Sequence, residues 1–153
     1  MLFFLAIIGG AVRQWAPYGI SWLGRWPTSS TSAEEAYNMM AKPGDPPFVG
    51  LADVIRVQRG KSAALLDARS SKEFKEGRIP GARNLPYYEL EAYQSQALEG
   101  LTAETSIIIY CEGIGCELSF FLGRELQAGG FKDIRIFYGG YPEWKEAGLP
   151  IEK

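Results

Sequence analysis

A short apolar run that leads into a glycine-containing loop and then a helix constrains the fold more than any other stretch. The run covers residues 106–110, and its three consecutive isoleucines predict a strand buried on both faces, as in a parallel sheet. Apolar residues return at helical spacing after Ser119. A strand, a loop and a helix in this order predict one unit of an α/β protein.

Strands and helices alternate along the chain from about residue 49. Apolar runs predict further strands at residues 63–67 and 133–138, and helical spacing predicts helices at residues 33–40, 51–60, 88–98, 117–128 and 141–147. The alternation predicts an α/β domain with a largely parallel sheet. Ligands bind such sheets outside the carboxyl ends of the strands, and Asp67 and Cys111 are both predicted to lie at such ends.

Cys111 opens the loop and is the candidate nucleophile. The loop contains Gly113 and Gly115 and can fold back so that several backbone N–H groups converge at the start of the following helix. That arrangement favours negative charge, so a thiol placed there ionises more readily. The alternative is that Cys111 is a small apolar residue buried at a strand end.

The chain of 153 residues contains no histidine, which excludes catalysis by Ser-His or Cys-His pairs and zinc sites of the HExxH type. No cofactor and no metal site is predicted, so any catalysis has to use cysteine, carboxylates, Tyr, Lys, Arg or backbone dipoles. A formal net charge of −2 without a basic run argues against nucleic acid as a partner. Two cysteines five positions apart do not form a disulfide framework.

The N-terminal segment is apolar and rich in tryptophan. A spanning helix needs about 20 apolar residues, and Arg13 and Pro17 interrupt the apolar run, but the tryptophans and arginines suit a membrane–water interface. We therefore expect this segment to anchor a membrane-associated protein. The alternative is a cytoplasmic protein whose N-terminal arm packs on its own domain or on a partner. The predicted organisation is a hydrophobic N-terminal segment, a linker with a short helix, and a main domain, at residues 1–26, 27–47 and 48–153.

Five short motifs follow one another in the main domain. They are Leu65-Leu66-Asp67-Ala68-Arg69, Gly77-Arg78-Ile79-Pro80-Gly81-Ala82, Ile109-Tyr110-Cys111 with its loop, Gly139-Gly140-Tyr141-Pro142-Glu143-Trp144, and Gly148-Leu149-Pro150-Ile151. Each is weak alone, but together and in this order they resemble the rhodanese-like (sulfurtransferase) domain family, single-domain type. The resemblance implies a three-layer α/β/α fold with a central, mostly parallel five-stranded sheet.

The same resemblance assigns roles to residues. It implies that Cys111 takes sulfane sulfur from a small donor as a persulfide and passes it to a thiol or cyanide-like acceptor. Asp67 and Arg69 would order the neighbouring loop, or else form an ordinary structural ion pair. The sulfur would be held by the backbone of the loop residues Glu112, Gly113, Ile114, Gly115, Cys116 and Glu117.

Two departures from the family pattern affect this expectation. Arg78 stands where the family usually has a histidine, and we expect it to be a solvated turn residue. The loop carries Glu112 and Glu117 but no basic residue, and each carboxylate would repel dianionic thiosulfate by at most about 1 kcal/mol. Glu117 also occupies the position of the arginine that Cys-x5-Arg phosphatases need, which disfavours that chemistry.

Cys116 leaves two hypotheses open. It either resolves an oxidised or persulfidated Cys111 by forming a disulfide, or it is a small residue that lets the loop turn into the helix. The five-residue spacing favours the second, because a tight loop of this length is expected to hold the sulfurs apart. Two other functions also remain open: a binding or redox-sensing module whose acidic loop docks a partner protein, and a dithiol oxidoreductase that uses Cys111 and Cys116.

Overall fold

The computed structural model of the protein describes residues 32–153. None of the helices in this range is long and apolar enough to cross a membrane. The anchor that the sequence predicts at residues 1–26 lies outside the described residues.

A four-stranded parallel sheet forms the centre of the described domain. Its strands are β1 (Ala64–Asp67), β2 (Arg83–Asn84), β3 (Ser106–Tyr110) and β4 (Asp133–Phe137), in the order β2-β1-β3-β4. All neighbouring pairs are parallel, so their carboxyl ends lie at one edge of the sheet. The prediction of an α/β domain with a parallel sheet is therefore confirmed.

The described chain forms four strands, not the predicted five. In the place of a fifth strand, Phe48 forms a single bridge beside Ile136 of β4. The Val49 N–H donates to the Ile136 carbonyl, and the Ile136 N–H donates to the Pro47 carbonyl, both at 2.9 Å. Pro47 and the proline before it have no N–H to donate, and a helix begins just after Gly50, so the pairing stops after one bridge.

Helices cover both faces of the sheet and give the three layers. They are α1 (Ala33–Met40), α2 (Leu51–Gly60), α3 (Ser71–Glu76), α4 (Leu90–Ala97), α5 (Leu118–Ala128) and α6 (Gly140–Glu146), with a 3-10 turn at Tyr87–Glu89. Ile107 and Ile109 pack with buried residues of α1, α4 and α5. Ile108 and Tyr110 point to the opposite face and pack with residues of α2 and α6. This alternation along one strand explains why a fully apolar run is needed there.

Helix α1 packs on the core of the domain. Its Tyr37 ring is buried and stacks on Phe120 of α5, with ring centroids 5.2 Å apart. The Tyr37 hydroxyl donates to the Pro46 carbonyl. Burial, together with the nearby charge of Asp45, raises the pKa of Tyr37 above its ordinary value, so the hydroxyl stays a donor. The short helix predicted over residues 33–40 thus covers part of the sheet.

The start of α6 lies directly against the end of β3. The Tyr141 N–H donates to the Cys111 carbonyl at 3.0 Å. Gly140 has a φ of +63°, and a Cβ at this position would lie 2.6 Å from the backbone nitrogen of Gly113. Only glycine combines this backbone conformation with so close an approach, so Gly140 lets α6 reach the loop after Cys111.

We expect Gly140→Ala to destabilise the domain more than Gly148→Ala. Both glycines have a positive φ, which costs an alanine about 1–2 kcal/mol. A Cβ at Gly148 would meet open space, whereas at Gly140 it would crowd the loop and cost about a further 1–3 kcal/mol. Urea unfolding of the two variants measures the difference, and equal free energies of unfolding would contradict the packing described here.

An ion pair ties the loop after α1 to α5. Arg124 donates through Nε to Asp45 Oδ1 at 2.6 Å and through a terminal nitrogen to Asp45 Oδ2 at 2.8 Å. The Asp45 side chain is 5% exposed. These hydrogen bonds from Arg124 outweigh the effect of burial and lower the pKa of Asp45 below its ordinary value of 3.8.

The lowered pKa makes this contact dependent on pH. A carboxyl whose pKa is lower in the folded state stabilises the fold at pH values above its unfolded pKa, and the contribution is lost as pH falls through the folded value. Asp45→Asn is therefore expected to lower the free energy of unfolding by about 1 kcal/mol at pH 7, and by progressively less below pH 3.8. The control is Asp133→Asn, because the Asp133–Arg135 pair is exposed and should contribute less. A difference that does not change with pH would contradict the role of this ion pair.

Candidate functional site

Cys111 follows β3 at the carboxyl edge of the sheet. Its side chain is fully buried and belongs to the core cluster on the α5 side. Asp67, the last residue of β1, pairs with Tyr110, so the neighbouring strand ends bring Asp67 close to Cys111. The two residues therefore lie at one edge of the sheet, as the sequence predicts.

Cys111 forms a disulfide with Cys116. Their Cα atoms are 6.5 Å apart, which is within the usual range for a disulfide. Neither of the two cysteines is free. The expectation that the five-residue spacing holds the sulfurs apart is therefore wrong. Gly113 and Gly115 both adopt a positive φ, +99° and +88°, and this folds the loop back far enough for the sulfurs to meet.

Two of the loop amides that the sequence predicts as part of a sulfur cradle are hydrogen-bonded within the protein. The Gly115 N–H donates to the Tyr138 hydroxyl, and the Cys116 N–H donates to the Gly113 carbonyl, both at 2.9 Å. The Cys116 carbonyl oxygen lies 3.3 Å from the Cys111 sulfur. An acceptor oxygen thus lies beside the sulfur, where the sequence predicts a donor.

Ser119 contacts the Cys111 sulfur, and we did not predict it as a site residue. Its hydroxyl oxygen lies 3.6 Å from Cys111 Sγ, and its side chain is fully buried in the first turn of α5. A hydroxyl here can donate to a thiolate or a persulfide anion. The position of Ser119 directly after the loop is the sequence feature from which its contact with Cys111 could have been predicted. Tyr138, which follows β4 at the same edge of the sheet, was missed as well.

A buried arginine connects the end of β1 to the loop. Arg69 donates to both carboxylate oxygens of Asp67, with a shortest distance of 2.7 Å, and to Glu112 Oε1 at 3.0 Å. It also donates to the Gly77 carbonyl at 2.8 Å, and its guanidinium lies 4.1 Å from the Tyr141 ring centroid. Burial opposes the charge of Arg69, but Asp67 and Glu112 outweigh it and raise the pKa of Arg69. Because Glu112 is the first residue after Cys111, this network fixes where the loop begins.

Arg78 lies outside the Cys111 loop. Its guanidinium pairs with Glu152 and lies 4.6 Å from the centroid of the Phe74 ring. It also donates to the backbone carbonyl of Lys153. The expectation of a solvated turn residue is wrong, because these contacts leave its side chain only 16% exposed. Arg78 thus holds the C-terminal segment.

An acidic cleft of about 690 Å³ lies beside the loop. Four of its lining residues are glutamates, and two are basic. Arg69 is paired with two carboxylates, Asp67 and Glu112, so Lys145 is the basic side chain that remains to offset the other glutamates. The lining includes Glu73, Glu76, Glu112, Tyr141, Lys145 and Glu146. The cleft therefore disfavours a multiply charged anion.

The sequence of this protein is similar to a known domain family and to characterised proteins. A family model for the rhodanese-like domain matches residues 50–147. The chain is 30% identical over 121 residues to the HTH-type transcriptional regulator Rv0324 of Mycobacterium tuberculosis, covering 79% of this chain and 50% of the regulator. It is 29% identical over 95 residues to the chloroplastic thiosulfate sulfurtransferase 16 of Arabidopsis thaliana, covering 57% of this chain and 78% of that protein.

The fold is also similar to that of a sulfurtransferase of known structure. The human single domain sulfurtransferase TSTD1 superposes with a TM-score of 0.55 at 30% identity, over 65% of this chain and 96% of that one. The chain spans only half the length of the mycobacterial regulator. The match of the family model to more than half of the chain shows that this protein belongs to the rhodanese-like domain family.

Proposed function

We propose that this protein is a sulfurtransferase that carries sulfane sulfur as a persulfide on Cys111, from a small sulfur donor to a thiol or cyanide-like acceptor. Membership of the rhodanese-like family and the sulfurtransferases among its relatives support the reaction class. The observation that carries the proposal is the position of the Cys111 sulfur. It lies where β3, the loop and the first turn of α5 meet, 3.6 Å from the Ser119 hydroxyl.

The proposed reaction starts from the reduced protein. The Cys111 thiolate attacks the sulfane sulfur of the donor, a new S–S bond forms, and the rest of the donor leaves with the electron pair of the broken bond. The persulfide anion accepts a hydrogen bond from Ser119, and an acceptor nucleophile then removes its outer sulfur. None of these steps needs a histidine, which agrees with the composition of the chain.

The charges around the loop set the proposed donor class. Glu112 is paired with Arg69, whereas Glu117 is exposed and forms no ion pair with any described residue. Together with the acidic cleft, Glu117 repels a dianion more strongly than a neutral or singly charged donor. We therefore propose low-molecular-weight persulfides, rather than thiosulfate, as the preferred donors.

The disulfide favours a second candidate function, a redox-sensing module. The closed Cys111–Cys116 bond leaves no thiolate to accept sulfur. An oxidised protein would then be inactive in sulfur transfer until a dithiol reduces it. Sulfur transfer that proceeds equally well in the oxidised and the reduced protein would rule this candidate out.

We expect Cys116→Ser, once reduced and desalted, to gain one sulfur atom from a low-molecular-weight persulfide. This variant has Cys111 as its single thiol, so the product is a persulfide at a known position. Intact-protein mass spectrometry measures the gain, and the added mass should disappear after cyanide treatment. Cys111→Ser is the matched control and should gain nothing. A gain in both variants or in neither would contradict the proposal.

We expect Glu117→Gln to raise kcat/KM for thiosulfate by up to about 5-fold, because it removes a repulsion of at most about 1 kcal/mol. The effect should shrink as ionic strength rises. Glu91→Gln is the control, because Glu91 is exposed on α4 and lies outside the loop. A similar gain with a neutral persulfide donor would show that charge repulsion is not the cause.

A further inference from the structure

The two loop cysteines differ in their access to solvent. Cys111 is fully buried, whereas Cys116 is partly exposed, and the loop brings their sulfurs into bonding contact. The hydrogen bonds from Gly115 to Tyr138 and from Cys116 to Gly113 hold the loop through groups other than the two sulfurs. The Arg69–Glu112 ion pair holds the start of the loop, and it too involves neither of the two sulfurs. These contacts favour a position of the Cys116 thiol close to Cys111 in the reduced protein as well.

We propose that Cys116 is a resolving thiol that reduces the persulfide on Cys111 and releases sulfide. This inference rests on the proposed function, because it needs the persulfide as its substrate. The Cys116 thiolate attacks the inner sulfur, Cys111 Sγ, and the bond from Cys111 Sγ to the outer sulfur breaks. The outer sulfur leaves as hydrosulfide with that electron pair and the proton of the Cys116 thiol, and the Cys111–Cys116 disulfide forms. The sulfane sulfur is reduced by two electrons and the two cysteines are oxidised by two.

A dithiol reductant resets the protein. Its thiolate attacks the sulfur of Cys116, the more exposed of the two residues, and forms a mixed disulfide there, while Cys111 leaves as a thiolate beside Ser119. The second thiol of the reductant then resolves the mixed disulfide and frees Cys116. The full cycle converts one sulfane sulfur and one dithiol into sulfide and one disulfide.

Burial makes the internal route faster than transfer to an outside acceptor. The Cys111 sulfur has no solvent-exposed surface, so the loop has to move once to admit the donor and again to admit any outside acceptor, whereas Cys116 belongs to the loop itself. Cys116 is already in contact, and an intramolecular attack of good geometry corresponds to a very high effective concentration of the thiol. An outside thiol at millimolar concentration therefore competes poorly with Cys116.

A single-turnover experiment with the full chain tests the inference. Reduced and desalted wild type, Cys116→Ser and Cys111→Ser each receive a low-molecular-weight persulfide without further reductant. Wild type should release about one sulfide per chain and become lighter by two hydrogens, the mass of the closed disulfide. Cys116→Ser should keep the added sulfur and release at least 10-fold less sulfide, and Cys111→Ser should do neither. Adding a dithiol should make sulfide release catalytic in wild type alone.

The outcomes separate this inference from the proposed function. If Cys116→Ser gains the sulfur and wild type also keeps it without releasing sulfide, the resolving role is overturned and the persulfide route stands. If Cys116→Ser and Cys116→Ala both remain folded by circular dichroism and gain no sulfur, the persulfide route fails and the inference falls with it. Sulfide release by Cys116→Ala at the wild-type rate would also overturn the resolving role.

Discussion

The parallel pairing of β3 with a strand on each side is the constraint on which the rest of the structure depends. It buries both faces of β3 and forces helices onto both sides of the sheet. It also brings the ends of β1, β3 and β4 to one edge, where Tyr138 contacts the loop after Cys111 directly and Asp67 is connected to it through Arg69. The candidate site is therefore a consequence of strand register, not of any one motif.

A buried charge then determines how the loop is held. Arg69 cannot be left without a partner inside the protein, because removing one member of a buried ion pair costs about 3–5 kcal/mol. Asp67 supplies one partner and Glu112 the other, so the first residue after Cys111 is tied to the end of β1. The pairing with Arg69 explains in structural terms why an acidic residue stands at position 112. Its carboxylate accepts a hydrogen bond from Arg69, which offsets part of its negative charge.

Much of the fold could be predicted from the sequence, because apolar periodicity reports burial directly. Strands expected at residues 63–67 and 133–138 are observed at Ala64–Asp67 and Asp133–Phe137. The contacts within the site could not be predicted in the same way. The Arg69–Glu112 pair joins residues 43 positions apart, and the Gly115–Tyr138 hydrogen bond joins residues 23 apart. The disulfide depends on the positive φ of two glycines, which composition permits but does not require.

The acidic cleft beside the loop and the second cysteine within the loop are consistent with the same proposed chemistry. For the proposed sulfur transfer, the acidic cleft would repel dianionic donors and the buried sulfur would hinder outside acceptors, so neither feature suits rapid exchange between thiosulfate and free thiols. In the proposed reaction, a weakly charged donor reaches Cys111 in one movement of the loop, and the transferred sulfur is then consumed inside the loop. Sulfide, the product of that step, is small enough to leave without opening the core. If Cys111 carries a persulfide as proposed, the contact between Cys111 and Cys116 decides whether the sulfur leaves by transfer or by reduction.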